Sequence, residues 1–318
     1  MTKLNKRLAM ALSGLVLLYI LVLAFHIAGR ESNVLAKTFH VDTSGVSEID
    51  LYPYRAGRQE IKFIRQDGRW RVRSGSVEAS SAAGSAESLL GSLVNIPAQR
   101  LVSRRKDKWD EYKVGDTSGT RVVVYKGKDP VGDYYIGGGS TGGGDYGGGV
   151  YGGGIYGGGT SYIRESGHDE VYAADGYLSG MVDKPFAEWR DRSFLRFNSS
   201  EVTGISFQGT PGFVLSKKDS SWRLGDGRVS TDSVNRYLGR LENYNLQRFS
   251  DDFTPSGSPD RSILFSGASA QVATVQAWKR PDGSWVVNSS QNPDGYFAVS
   301  DSVMSRDLWR DPGVWARE

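Results

Sequence analysis

The chain has 318 residues, 38% of them hydrophobic, with eight Trp, so it is long enough for two separate cores and too apolar for a disordered polymer. It has no Cys, which excludes a disulfide framework, thiolate metal ligation and lipidation at Cys. Lys3, Lys6 and Arg7 account for the whole formal net charge of +3; without them 36 basic residues face 36 acidic ones, which argues against a nucleic-acid partner because such proteins carry a clustered basic excess.

Leu8 to Gly29 contains no Asp, Glu, Lys or Arg. A helix over these 22 residues is long enough to cross a hydrocarbon core of about 30 Å. The three basic residues before it predict a cytoplasmic N-terminus with the bulk of the chain periplasmic, hence a single-pass protein of the bacterial inner membrane that meets lipid through residues 8–29. A cleaved signal peptide is the alternative, but the apolar run exceeds the roughly 7–15 residues of a signal h-region. Residues 31–45 read as a stalk.

Val46 to Tyr54 suggests a strand that Pro53 ends. Ile61–Arg65 and Arg69–Val72 flank Gln66-Asp67-Gly68, a hairpin signal in which Gly supplies positive φ. After a Ser/Ala/Gly-rich loop, a helix over 86–94 carries Leu89, Leu90 and Leu93 on one face, with Pro97 as its stop. The charged run 104–112 reads as a solvated loop with Trp109 and Tyr112 tucked onto the sheet. Residues 121–125, 134–136, 162–164 and 171–173 predict an antiparallel meander.

Between the second and third of these strands, Gly-Gly-Gly begins at 137, 142, 147, 152 and 157, and 15 of residues 137–159 are Gly. Ordering so much glycine is entropically costly, so the tract reads as an expanded hairpin loop. Gly138-Gly139-Ser140-Thr141-Gly142 fits a nucleophile elbow, and several frames fit a dinucleotide fingerprint. Both motifs need a helix where a strand-like segment follows, so neither carries chemistry.

The pattern then returns. Leu90-Gly91-Ser92-Leu93-Val94-Asn95 is answered 148 residues later by Leu238-Gly239-Arg240-Leu241-Glu242-Asn243, Gly68-Arg69-Trp70 by Ser220-Ser221-Trp222, and Trp189-Arg190-Asp191 by Trp309-Arg310-Asp311. The repetition predicts an α+β protein: one N-terminal transmembrane helix, then two tandem repeats of an antiparallel β-sheet plus helix unit. The expected domains are 1–30 (flank and anchor), 31–45 (stalk), 46–196 (first unit, with the 137–159 insertion) and 197–318 (second unit).

Reactive groups are sparse. Of three His, His26 falls in the apolar run, His40 in the stalk and His168 in a turn beside Asp169; no two have metal-ligand spacing. Asp107, Asp110 and Glu111, and Asp251 with Asp252, sit among Lys and Arg or in a loop. Paired-carboxylate hydrolysis or a His168-based hydrolase remains an alternative, as does a glycan-binding module using the many aromatics. Trp70, Trp222 and Trp285 each open the return strand of a hairpin, which points to core packing. No residue is assigned a catalytic, cofactor-binding or metal role, and no small-molecule substrate is evident.

The N-terminal apolar segment, the hairpin ending Gly68-Arg69-Trp70, the Leu-rich helix, Asp110-Glu111-Tyr112, Tyr135-Ile136-Gly137, Tyr162-Ile163-Arg164, Val171-Tyr172 and Trp189-Arg190-Asp191 together resemble the bacterial DUF4340 family, auxiliary to ABC transporters of the gliding-motility kind. Two departures stand out: Lys113 occupies a position where the family pattern has Gly, and the glycine tract is extra. The resemblance implies no catalytic residues. It implies a non-catalytic extracytoplasmic scaffold or accessory subunit, with an integral membrane permease as partner.

Overall fold

The computed structural model describes residues 12, 14–20, 37–138 and 159–315. Residues 12 and 14–20 are helical, with Leu12, Leu15, Val16, Leu17 and Leu18 exposed; the rest of the expected span over 8–29 lies outside the described residues. No described helix is long and apolar enough to cross a membrane. The described chain is predominantly β, in three antiparallel sheets, which corrects the expected α+β architecture of a transmembrane helix and two sheet-plus-helix repeats.

Two compact units divide it: residues 1–70 with 84–186, and residues 71–83 with 187–318. In chain order the first ten strands are β1 (Lys37–His40), β2 (Glu48–Tyr52), β3 (Ile61–Gln66), β4 (Arg69–Ser74), β5 (Val77–Ser80), β6 (Asn95–Ser103), β7 (Thr120–Lys126), β8 (Asp129–Gly137), β9 (Thr160–Glu165) and β10 (Val171–Asp175), and helix α1 (Ser85–Leu93) lies between β5 and β6. In the first unit they run β1-β6-β10-β9-β8-β7-β2-β3 across the sheet. The meander β7-β8-β9-β10 is as the alternation predicts, and β8 pairs with β9 through Gly137↔Tyr162, so the strands flanking the glycine tract are antiparallel neighbours. Residues 139–158 of that tract lie outside the described residues.

Residues 37–40, expected as stalk, form β1 beside β6 because Phe39 and Val41 have a core to enter: both are buried, and Phe39 meets Tyr134 and Tyr172 edge-on at 5.6 and 5.5 Å. Helix α1 ends at Leu93 without help from Pro97, which sits inside β6 opposite Thr38. The Asp67-Gly68 turn has φ of 49° and 77°, the paired positive values of a tight hairpin.

The second unit contains β11 (Ser193–Arg196), β12 (Gly204–Gln208), β13 (Phe213–Lys218), β14 (Ser221–Leu224), β15 (Gly227–Arg228), helix α2 (Thr231–Leu241), β16 (Asn243–Asn245), β17 (Arg261–Ser266), β18 (Gln271–Lys279), β19 (Trp285–Ser289) and β20 (Asn292–Val299). Its main sheet runs β15-β14-β13-β12-β17-β18-β19-β20, and β11 with β16 make a separate ribbon. Val234, Tyr237, Leu238 and Leu241 of α2 enter a core with Phe207, Trp222, Phe265, Phe297 and Trp315. Burying such a stripe supplies the main stabilisation, roughly 25 cal/mol per Å² of apolar surface.

The local echoes are physical. Helices α1 and α2 both end with a cap amide donating to the first Leu of the repeated motif, Leu90 or Leu238, and both hairpins turn through two positive-φ residues, 67–68 and 219–220. Their surroundings differ. The strand after α1 is nine residues long and lies between β1 and β10, whereas the strand after α2 is three residues long and pairs only with β11. The expected boundary near 196 also shifts, since residues 71–83 and 187–196 pack with the second unit. In that unit Asp191 N donates to Ser80 O and Ala82 N to Trp189 O.

Candidate functional site

A buried carboxylate of the first unit stands on β2. Along Glu48-Ile49-Asp50-Leu51-Tyr52, Ile49 and Leu51 fill the core, so Glu48, Asp50 and Tyr52 share the opposite face. Asp50 faces Lys62 of β3 in register, and Lys62 Nζ lies 2.7 Å from Asp50 Oδ2, 2.9 Å from Glu48 Oε1 and 3.6 Å from Glu60 Oε1. Tyr52 donates its hydroxyl to Glu60 at 2.7 Å. Asp50 is only 2% exposed, and its Oδ1 has no hydrogen-bond partner among the described residues. Burial raises its pKa to about 6, with the Lys62 ammonium opposing and the Glu48 carboxylate adding to the shift. Burial works to lower the Lys62 pKa, but the hydrogen bonds to Asp50 and Glu48 outweigh it and hold the ammonium charged.

A second buried charge anchors the loop 104–119. Arg164 of β9 is 2% exposed, its guanidinium carbon 3.7 Å from the Trp109 ring centre and 4.2 Å from that of Tyr135. Its Nε donates to Val114 O at 2.9 Å, Nη1 to His168 O at 3.4 Å and Nη2 to Asp116 at 2.5 Å. Trp109 Nε1 donates to Asp169 O at 3.1 Å. Trp109 and Tyr112 therefore lie on the sheet as expected, and His168 contributes its backbone carbonyl while its own residue is exposed.

The loop also explains the first departure from the family pattern. Lys113 has φ of 54°, the left-handed conformation that an L side chain pays to adopt. Its carbonyl presses on Gly137, where any Cβ would collide with it, so the glycine at the end of β8 is required by close approach.

The two Trp-Arg-Asp triplets both fall in the second unit and do different things, instead of closing one unit each. Arg190 is 1% exposed and pairs with Asp251. Arg310 is only half-buried and donates Nε to Arg306 O at 3.1 Å. The common element is the tryptophan, since Trp189 and Trp309 are both buried.

The remaining candidates are tied into local structure. Asp107 pairs with Arg105, Glu111 with Lys108 and Asp252 with Arg280, while Asp110 accepts from Ser118. His40 contacts Asn95 at 2.9 Å, and His26 lies outside the described residues. Gly138 is the one described residue of the G-x-S-x-G match. Among the described residues no group of three or more His, Asp or Glu could hold a metal ion. Seven of the eight Trp are buried, and the half-buried Trp109 has Arg164 against its ring.

Sequence reading passed over Asp50, Lys62 and Arg164. The alternation of residues 48–52 carried a usable signal for Asp50. Arg164, in Tyr162-Ile163-Arg164, carried none, because its ring partners come from residues 109 and 135.

A family model described as "Domain of unknown function" matches residues 75–261. No curated protein matches the chain, and no solved structure does.

Proposed function

The chain belongs to the DUF4340 family, and from that premise we propose that it is a non-catalytic accessory or scaffold subunit, held at the bacterial inner membrane with its folded units outside the cytoplasm, that works with an integral membrane partner of the ABC-transporter permease kind. The observation that carries this reading is the use made of buried charge. Arg164 and Arg190 are each fixed between an aromatic ring and a carboxylate, and Lys62 gathers three carboxyls, so costly ionisable groups fasten loops and strands together. Rigid surfaces suit a part that positions others. The uncharged run at residues 8–29, with Lys3, Lys6 and Arg7 before it, supports the membrane location and orientation.

Crosslinking in cells followed by affinity purification from gently solubilised membranes tests the proposal. A permease or ATPase should copurify in stoichiometric amount. Recovery of the chain alone under several mild detergents would overturn it.

A further inference from the structure

Tyr54 and Tyr177 stand apart from the other rings of this protein. They are 50% and 37% exposed, whereas every other Trp, Tyr and Phe described from residue 37 onward is buried or half-buried. Both line one cleft of the first unit, at the end of β8, together with Ser118, Thr120, Ser179 and Asp183. Exposed rings scattered singly are ordinary on a protein surface; two that are found nowhere else and share one cleft are not.

Each tyrosine is held in place. Tyr54 N donates to Oγ1 of the buried Thr120 at 3.1 Å. The next residue, Arg55, donates its amide to Asp183 Oδ1 at 2.9 Å and sets its Nε 3.3 Å from Oδ2. Tyr177 precedes the short helix Leu178–Val182, and its ring lies so close to Gly180 that a Cβ there would collide with it. Yet neither ring stacks on another or on a cation, and neither hydroxyl makes a hydrogen bond, among the described residues.

The cleft holds about 100 Å³. That is room for roughly three waters at about 30 Å³ each, too little to enclose a whole small molecule. A ligand must therefore lie on the rings and send one substituent inward. A pyranose has that shape: its C–H faces pack on aromatic rings, and its rim carries hydroxyl or amide groups. The polar groups to meet that rim are present. Ser179 Oγ makes no hydrogen bond among the described residues, and each Asp183 oxygen, after accepting from Arg55, keeps a further lone pair. A proline-rich peptide also favours aromatic-lined grooves, but proline has no N–H to offer that carboxylate.

We propose that Tyr54 and Tyr177, with Ser179 and Asp183 in the cleft they share, form a binding site for a pyranose unit of an oligosaccharide. The site lies within the first unit and binds sugar whether or not the chain has a membrane partner; only a cell-envelope source for that sugar rests on the accessory reading.

Calorimetric titration of the full chain in a sugar-free detergent tests it, with chitotetraose and maltotetraose as probes and decaproline as the competing ligand. Saturable binding of either sugar supports the proposal, and the tighter of the two shows whether the cleft takes an acetamido or a hydroxyl substituent. Y54A/Y177A should weaken binding about tenfold or more, with the melting temperature within a few degrees, while Y54F/Y177F keeps the rings and most of the affinity. Should the double alanine variant unfold, Y54A alone provides the measurement, with a smaller loss expected. Absence of saturable binding to both sugars, binding of decaproline alone, or undiminished sugar binding in a folded alanine variant would overturn the proposal.

Discussion

Arg190 sets its guanidinium carbon 3.6 Å from the ring centre of Phe249 and donates from one nitrogen to both carboxylate oxygens of Asp251, at 2.7 and 2.9 Å. A planar cation can stack and pair at once; an ammonium is a point charge and cannot. Arg190→Lys should therefore destabilise the second unit by about 1–3 kcal/mol, and Arg190→Met by less, since it removes the buried cation itself and leaves Asp251, which is exposed, to water. Urea unfolding followed by tryptophan fluorescence reads both. If the lysine variant matches the parent, the stacking argument fails.

Lys113 holds φ of 54°, at a cost of about 1–2 kcal/mol for a residue with a Cβ. Lys113→Gly removes that strain but gives the unfolded chain more freedom, so a net gain of roughly 0.5–1 kcal/mol is expected. Its side chain is exposed, so little packing is lost. A higher urea midpoint is the supporting result, and a lower one would show that the loop does not store the strain.

Asp50 has a folded pKa of about 6 against an ordinary 3.8. The folded state thus binds this proton more tightly than the unfolded chain does. The stability it contributes is fully present below about 3.8 and is lost as pH rises through about 6. Asp50→Asn keeps the shape without the charge, and Glu48 and Glu60 remain for Lys62. The variant should gain on the parent as pH rises from about 3.8 to about 6 and run parallel to it above that. Parallel changes in the two unfolding midpoints over that rise would exclude Asp50 as the source.

Ser230 accepts a hydrogen bond from Ser233 N at 3.3 Å and so caps α2, whereas α1 starts at Gly84 with no side-chain cap. Ser230→Ala should cost about 1 kcal/mol, read by thermal unfolding. Gly84→Ser should bring no matching gain, because Gly84 has φ of 71° and a side chain there is strained.

Short-range order was legible in the residues themselves. The Asp67-Gly68 hairpin, the α1 and α2 stripes, the β7-to-β10 meander and the structural role of Trp70, Trp222 and Trp285 all depend on periodicity or turn chemistry within about a dozen neighbours. So did the uncharged run at 8–29 and the balance of charge beyond it. Similar short motifs, however, encode similar turns and helices without fixing what packs on them, and this is why echoes 148 residues apart suggested two copies of one fold. Tertiary structure alone decided that residues 71–83 and Trp189-Arg190-Asp191 belong to the second unit, that 261–266 is a central strand and that Pro97 sits within a strand. It likewise decided which ionisable groups are buried: Asp50 against Lys62, Arg164 between Trp109 and Tyr135, Arg190 on Phe249. Sheet pairing and burial of charge are set by partners distant along the chain, and the free energy of a strand or an ion depends on those partners more than on its own residue type.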